Sequence, residues 1–433
     1  MKEKSNFEKF LILWAGELVS SIGGGLTSFG LGVYVFRQTG SAAGMALVTL
    51  IGFLPTLLLS VPAGVLADRY DRRLLMMIGD GCSALGVLYI LLCMIRGGAS
   101  LTEICIGVFI SASFSALLEP SYRATITDLL TEKEFSKASG LVSLAGSARY
   151  LFSPVIAGFL LAIAHVSLLL IIDICTFFLT LAGAAIVRKE VGKKEKERGE
   201  SFADSLKDGW KAIKNKPGLL LLVVLSSFIS LFMGMFQILA EPFVLSFSDS
   251  TTLGITETIC ACGMLTSGIF LGIRGLKGNY VRTLSLSLWL AGLFMFGFGL
   301  SRNLRLICAS GFLFFAALPF ANNCLDYLAR TNIAEDLQGR VWGLIGFLSQ
   351  LGYVIAYSLS GVAADALGSL TGAGVGRGCG LVIQIAGICQ ALIALGFILV
   401  KGIKKPESGI AQKTHQNDYG SDEEESYHEV CHG

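Results

Sequence analysis

Charge is what this 433-residue chain has least of: Asp, Glu, Lys and Arg make up only 15% of it, against 53% hydrophobic residues and a mean hydropathy of +0.68. A soluble chain of this length carries about 25% charged residues, so a water-soluble fold is excluded. No G-x-x-x-x-G-K-[ST] occurs in the sequence, and ATP-driven transport would therefore need a separate subunit. H-E-x-x-H is also missing, and Asp80 follows Met77-Ile78-Gly79, so a G-x-G-D aspartyl motif fails at its first glycine. Both signatures of an intramembrane protease are thus lost. A net charge of +2 gives no reason to expect nucleic acid as a partner. Of the eleven cysteines, only Cys431 lies clear of the apolar runs, where cysteine acts as a small hydrophobe. Cys260 and Cys262 fall on different faces of a helix and lack a second ligand pair, so neither a metal site nor a disulfide framework is expected.

Apolar sequence is abundant. A bilayer core about 30 Å thick needs roughly 20 mainly apolar residues per helical crossing. Twelve such runs can be read, at 10–36, 43–66, 74–95, 101–118, 139–164, 167–187, 219–240, 252–273, 283–301, 305–327, 341–365 and 379–400. The first is too long for a signal-peptide core and is followed at once by a second, so it reads as a retained helix. If the N-terminus is cytoplasmic, the inside segments hold 28 Lys and Arg residues and the outside loops 5, with Arg149 alone inside a helix. Such a bias predicts both termini in the cytoplasm and an even number of crossings. The localisation expected is a cell membrane, bacterial inner or plasma membrane.

The widest gap between runs, Arg188 to Pro217, divides the chain into two six-helix halves. The expected organisation is an N-terminal bundle over 1–188, a cytoplasmic linker over 189–217, a C-terminal bundle over 218–403 and an acidic tail over 404–433. Within the linker, Phe202, Leu206, Trp210 and Ile213 fall on one helical stripe, opposite Asp204, Lys207, Lys211 and Lys214. That pattern suits an amphipathic helix on the membrane surface or one packed on the protein's own loops. The tail, with Asp418, Asp422, Glu423, Glu424, Glu425 and Glu429, has the composition of a disordered segment, and His428, Cys431 and His432 fit terminal disorder better than a metal site. A shift of 203 residues superposes Glu132 on Glu335, Gly140 on Gly343, Leu141 on Leu344, Tyr150 on Tyr353 and Gly158 on Gly361. These matches fall at the entry to and along the fifth and eleventh runs, as a duplicated six-helix unit would place them. Parallel repeats with a substrate site at their interface describe one transporter architecture.

Between the second and third runs stands Gly64-Val-Leu-Ala-Asp68-Arg69-Tyr-Asp71-Arg72-Arg73. A positive-inside cluster would explain the arginines but not the whole pattern. The segment resembles the signature loop of the major facilitator superfamily, G-x-L-A-D-R-x-x-R-R. Glu119-Pro120, Asp128-Leu129-Leu130, Thr39-Gly40-Ser41-Ala42 and Gly339-Arg340-Val341 are similar to the same superfamily, and the likeness is closest to its enterobactin and macrolide exporters, from about Phe7 to Lys401. The equivalent loop after the eighth run keeps only Gly268, Gly272, Arg274 and Lys277. The fifth run has Gly140, Pro154 and Gly158 in register with the Gly-rich stretch of drug–proton antiporters, but Arg149, Ser153 and Ala157 stand where glycines would be.

The resemblance implies an all-α membrane protein of twelve transmembrane helices in two pseudo-symmetric six-helix bundles. It also implies spans 1, 2, 4, 5, 7, 8, 10 and 11 around a central cavity, and a gating loop of Gly64, Asp68, Arg69, Arg72 and Arg73. Charges inside the spans each cost several kcal/mol unless paired or wetted, and they number Glu17, Asp80, Arg149, Asp173, Glu257 and Asp326. Asp80 and Asp173 lie on spans 3 and 6, outside the implied cavity, and read as structural. Glu17 is about 10 Å and Arg149 about 15 Å from the cytoplasmic helix ends at 1.5 Å per residue, so the two could pair, either to exchange a proton or to fix two helices. Glu17, Arg149, Glu257, Asp326 and Gln350 form the candidate coupling and substrate set. The expectation is a monomeric secondary transporter, not an enzyme, without a cofactor. It would use protons to export a small amphipathic compound such as a drug, siderophore or peptide antibiotic, with uptake, facilitated diffusion or a membrane sensor as alternatives.

Overall fold

The computed structural model describes residues 6–190, 217–276, 278–333 and 338–399, and among them thirteen α-helices and no strand. They are α1 (Phe7–Thr39), α2 (Ala42–Arg69), α3 (Arg72–Ile95), α4 (Leu101–Ser115), α5 (Leu118–Leu129), α6 (Glu132–Ile163) and α7 (Val166–Glu190), then α8 (Pro217–Leu245), α9 (Ser250–Arg274), α10 (Tyr280–Leu300), α11 (Leu304–Asn332), α12 (Gln338–Leu370) and α13 (Val375–Leu399). Among the described residues twelve stretches are long and apolar enough to cross a membrane, because α4 and α5 are two parts of one span, Leu101–Leu129. Pro120 explains that break: it has no N–H to give the carbonyl of Ala116, and its ring crowds the same carbonyl. The span therefore continues about three turns beyond residue 118, where the hydropathy reading ended it. The linker helix expected at 201–213 and the acidic tail lie outside the described residues.

Local sequence sets the helix starts. Ser100 with Glu103, and Thr131 with Glu134, close capping boxes at α4 and α6, each satisfying two otherwise orphaned N–H groups. Asp71, Asp249, Asn279 and Asn303 accept hydrogen bonds from the first turns of α3, α9, α10 and α11. Gly40, left-handed at φ 62°, ends α1 and turns the chain into α2.

In the first half α1 packs on α6 and α7, α3 on α4 and α7, and α2 on α4. In the second α8 packs on α12 and α13, α10 on α11 and α13, and α9 on α11. The halves meet chiefly through two helix pairs, α6 with α9 and α2 with α12. These pairs are equivalent under the 203-residue repeat, and their glycines bear it out. Gly158 of α6 lies against Ser250 and Thr251 at the start of α9, and Gly361 of α12 lies against Ala42 and Ala43 at the start of α2. A methyl group at either glycine would press on backbone, 2.6 Å from the Ser250 carbonyl oxygen or 2.7 Å from that of Ala42.

One end of the bundle carries Arg69, Arg72, Lys133, Arg274, Arg282 and Arg330; it is called here the arginine-rich end, and the opposite one the far end. The apolar core has a matching asymmetry. Toward the far end a single buried cluster runs through both halves, from Leu26, Phe29 and Val33 to Phe236, Phe298 and Phe314. Toward the arginine-rich end it splits into two, one around Phe10, Met76 and Tyr122 of the first half and one around Leu225, Leu288 and Leu328 of the second.

Candidate functional site in the cleft between the halves

The glycines along the two cross-half helix pairs record the shape of the cleft. At the far end Gly158, Gly254 and Gly361 touch the facing helix. Moving along the same helices to the arginine-rich end, Gly64 of α2, Gly140 and Gly146 of α6, Gly268 and Gly272 of α9 and Gly346 of α12 have open space where a Cβ would point. The hydrogen bonds joining the halves also fall toward the far end: Arg37 to Ser250 at 3.4 Å, Thr251 to the Gly158 carbonyl at 3.2 Å, Thr258 to the Leu151 carbonyl at 3.1 Å, and a group on Asp365. The cleft is closed at the far end and open at the arginine-rich end.

Its closed end is aromatic. Phe53 of α2 lies 5.9 Å from Tyr353 and 5.4 Å from Tyr357 of α12, ring centre to ring centre, and the two tyrosines are 5.8 Å apart. Tyr357 donates a 3.0 Å hydrogen bond to Gln237 of α8. Four residues along α8 stands Glu241, whose Oε2 lies beside Gly32 of α1, 2.6 Å from where a Cβ would be, so only glycine fits there without displacing the carboxylate. Glu241 and, on α9, Glu257 are both half-buried.

Glu17 and Arg149, read from the sequence as potential partners, are not within ion-pair distance among the described residues. Arg149 is exposed and passes alongside Gly25, while Glu17 is half-buried. The reason is lateral: Gly23, Gly24 and Gly25 give α1 three faces, one against Asp173 and Thr176 of α7, one open, and one against Ser153 and Arg149 of α6. Asp326 is exposed on α11, one turn before Arg330, and Gln350 is half-buried one turn before Tyr353. Asp80 and Asp173 are buried.

In the gating loop Arg72 is the hub. Its side chain is only 10% exposed and pairs with Asp128 at 2.8 Å. It also donates to the Ala124 carbonyl at 2.8 Å and the Ala67 carbonyl at 3.1 Å, with Asp68 farther off at 3.7 Å. These contacts pin the end of α2 to α5 within one half. Asp71 caps α3 and accepts a 2.8 Å hydrogen bond from Arg188. Burial alone would raise the Asp71 pKa, but the hydrogen bonds from Arg188, Leu74 and Arg73 outweigh it and hold the carboxyl below its usual range. Arg73 is buried, whereas Asp68 and Arg69 are exposed.

Glu241, Asp365, Phe53 and Tyr357 were not singled out from the sequence. The two acids stand at the ends of predicted runs, where an acid reads as a boundary, and the two rings stand inside runs, where an aromatic reads as apolar packing.

Twelve spans in two repeated bundles, around a cleft closed over aromatic rings at one end and open at the other, have the architecture of a polytopic membrane transporter. Residues 13–357 match the sequence profile of the Major Facilitator Superfamily, and the chain belongs to that family. Among curated relatives it is 27% identical over 383 residues to Macrolide efflux protein A of Streptococcus pyogenes, covering 85% of this chain and 92% of that one. It is 23% identical over 372 residues to Multidrug efflux pump Tap of Mycolicibacterium fortuitum, covering 83% and 89%. Among solved structures the fold is similar to a bacterial homologue of the iron transporter ferroportin in an inward-facing state, with a TM-score of 0.71, 14% identity and coverage of 91% and 99%. It is also similar to the nucleoside transporter NupG, with a TM-score of 0.70, 12% identity and coverage of 92% and 99%.

Proposed function

We propose that the protein is a proton-coupled exporter of a small amphipathic compound, working as a monomer by alternating access in a bacterial plasma membrane. The observation that carries this reading is the cleft itself, closed at the far end over aromatic rings and two half-buried glutamates and open at the end rich in Lys and Arg. By the positive-inside bias that open end is cytoplasmic, so substrate enters from the cytoplasm or the inner leaflet. Phe53, Tyr353 and Tyr357 offer apolar faces with a hydroxyl rim, suited to a body that is part apolar and part polar. Glu241 and Glu257 supply carboxylates that take up or release protons as the halves rock, with Glu17 a further acid in the first half, nearer the open end. Binding and protonation are then linked, each altering the affinity for the other by the same factor. The names of the relatives support export and point to macrolides as the first compounds to try.

In the gating loop, Asp68 caps the start of α12 when the halves close at the arginine-rich end, with Gly64 allowing the approach. The test is efflux from cells lacking their own pumps, over a panel of macrolides, other amphipathic drugs and siderophores. Expression should lower accumulation of at least one compound, and a protonophore should restore it. A normally expressed protein that changes no compound's accumulation would overturn the export reading; export unaffected by the protonophore would overturn the coupling.

A further inference from the structure

The α2–α12 contact breaks a local rule at two places. Asp365 stands five residues before the end of α12 and Asp68 one residue before the end of α2, where a helix's own dipole disfavours negative charge. In each case the anomaly is resolved if the acid serves another helix. Asp365 does so visibly: one carboxylate oxygen accepts the Ser41 hydroxyl at 2.5 Å and the Ala43 N–H at 3.1 Å, and the other accepts the Ala42 N–H at 2.9 Å. A carboxylate from the second half thus fills the anion position at the start of α2, in the first. One turn earlier on α12, Gly361 lets the two backbones meet.

Asp68 is in the opposite condition. Its side chain is 68% exposed, its ion-pair partner is Arg72 of its own half at 3.7 Å, and the space beside Gly64 is open. The equivalent interface, α6 with α9, has neither acid: Ala162 stands 203 residues before Asp365, and Gly272 stands 204 after Asp68, the offset that matches Gly64 to Gly268. There α9 is capped by its own Asp249, and the bonds crossing to α6 are neutral, from Thr251 to the Gly158 carbonyl and from Thr258 to the Leu151 carbonyl.

We propose that Asp365 latches the far end shut, as the opposite number of the Asp68 cap already assigned to the arginine-rich end, the two never engaged together. The α6–α9 pair serves as the passive pivot. This rests on the alternating-access reading above and adds to it a far-end acid that sets which way the protein rests.

Distances between spin labels in the full-length protein test it. Labels carried on non-canonical residues at Thr102 and Arg302 report the far end, and at Lys133 and Arg282 the arginine-rich end. Asp365→Asn keeps the shape and removes the charge; it should raise the far-end-open population about tenfold, and Asp365→Ala should do so at least as strongly. Asp68→Asn should lower that population, and the double variant should return toward the wild-type ratio. Gly158→Trp, which cannot fit against Ser250, serves as the reference for forced opening. If Gly158→Trp opens the far end and neither Asp365 variant shifts the populations, the latch is wrong and alternating access stands. If Gly158→Trp also leaves a single closed population, alternating access fails, and the latch with it.

Discussion

Removing the guanidinium of Arg72 separates the structural role of the gating loop from its role in movement. In the state described here Arg72 bridges the end of α2 to α5 through the Ala67 and Ala124 carbonyls and Asp128, with its side chain 10% exposed and that of Asp128 21%. Breaking a fully buried pair by deleting one partner costs about 3–5 kcal/mol. Asp128 still reaches water, so Arg72→Ala should cost less, about 2–3 kcal/mol. That corresponds to a fall in melting temperature on the order of 5 °C. Arg72→Lys keeps the charge but not the planar fork, so it can hold Asp128 without also serving both carbonyls; it should recover about half of the loss. The assay is thermal unfolding of purified protein in detergent, followed by a tryptophan or thiol-reactive probe. An Arg72→Ala protein that melts like the wild type, yet does not transport, would refute the pinning argument and assign the side chain to the other conformation.

Other outcomes follow from single observations. Glu241→Gln and Glu257→Gln should each abolish proton-driven export while leaving substrate binding measurable, read by efflux in parallel with binding to purified protein; unchanged pH dependence in both would remove the pair from coupling. Because Glu17 and Arg149 do not form a direct pair, the double variant Glu17→Gln, Arg149→Ala should show additive effects within about 0.5 kcal/mol; strong non-additivity in melting would contradict the geometry. Asp71 has a folded pKa below its unfolded value of about 3.9, so its stabilising contribution is present above that value and lost as pH falls through the folded one. The melting difference between wild type and Asp71→Asn should accordingly be constant from pH 7 to pH 5 and vanish in stronger acid, and a difference that grew on acidification would overturn the assignment. Gly86→Leu should prevent stable packing of α3 on α4, since a Cβ there already lies 2.6 Å from the Ser111 nitrogen; normal membrane yield and melting would show that the contact can yield.

The number of spans and the duplication were legible because each rests on a strong, repeated signal: about twenty apolar residues per crossing, and Gly158 and Gly361 at one shift. What escaped were the features that hydropathy treats as edges. Glu241 stands one residue past the predicted run 219–240 and next to Pro242, so it reads as the end of a span, although α8 continues through it to Leu245. Asp365 was the last residue of the run 341–365, and α12 continues to Leu370. The break between α4 and α5 was signalled by Pro120, but the polar stretch after it concealed that the span went on. Pairing Glu17 with Arg149 by depth alone failed for a different reason. Depth fixes position along a helix axis, whereas contact also requires the right face, and Gly25 with Ser153 sets that face.

The two missed acids on α8 and α12 share a physical signature that a sequence reading could have used. An Asp or Glu in the last turns of an apolar helix is opposed by that helix's dipole, by about 0.3–1 kcal/mol when exposed, and inside a span it is opposed again by the apolar surroundings, at roughly 2.5–3.5 kcal/mol for Asp near mid-membrane. Such a residue must be repaid by a partner that its own helix cannot supply. For Asp365 that partner is the start of α2, already in place; for Asp68 the partner among the described residues is Arg72 of its own half, at 3.7 Å. One interface therefore carries both an occupied acid and a waiting one, while its pseudo-symmetric counterpart carries neither. A duplicated pair of bundles would rock without preference if its two interfaces were alike. The acids confined to α2 and α12 are what make the two ends of the cleft energetically different, and so give a symmetric scaffold a resting direction.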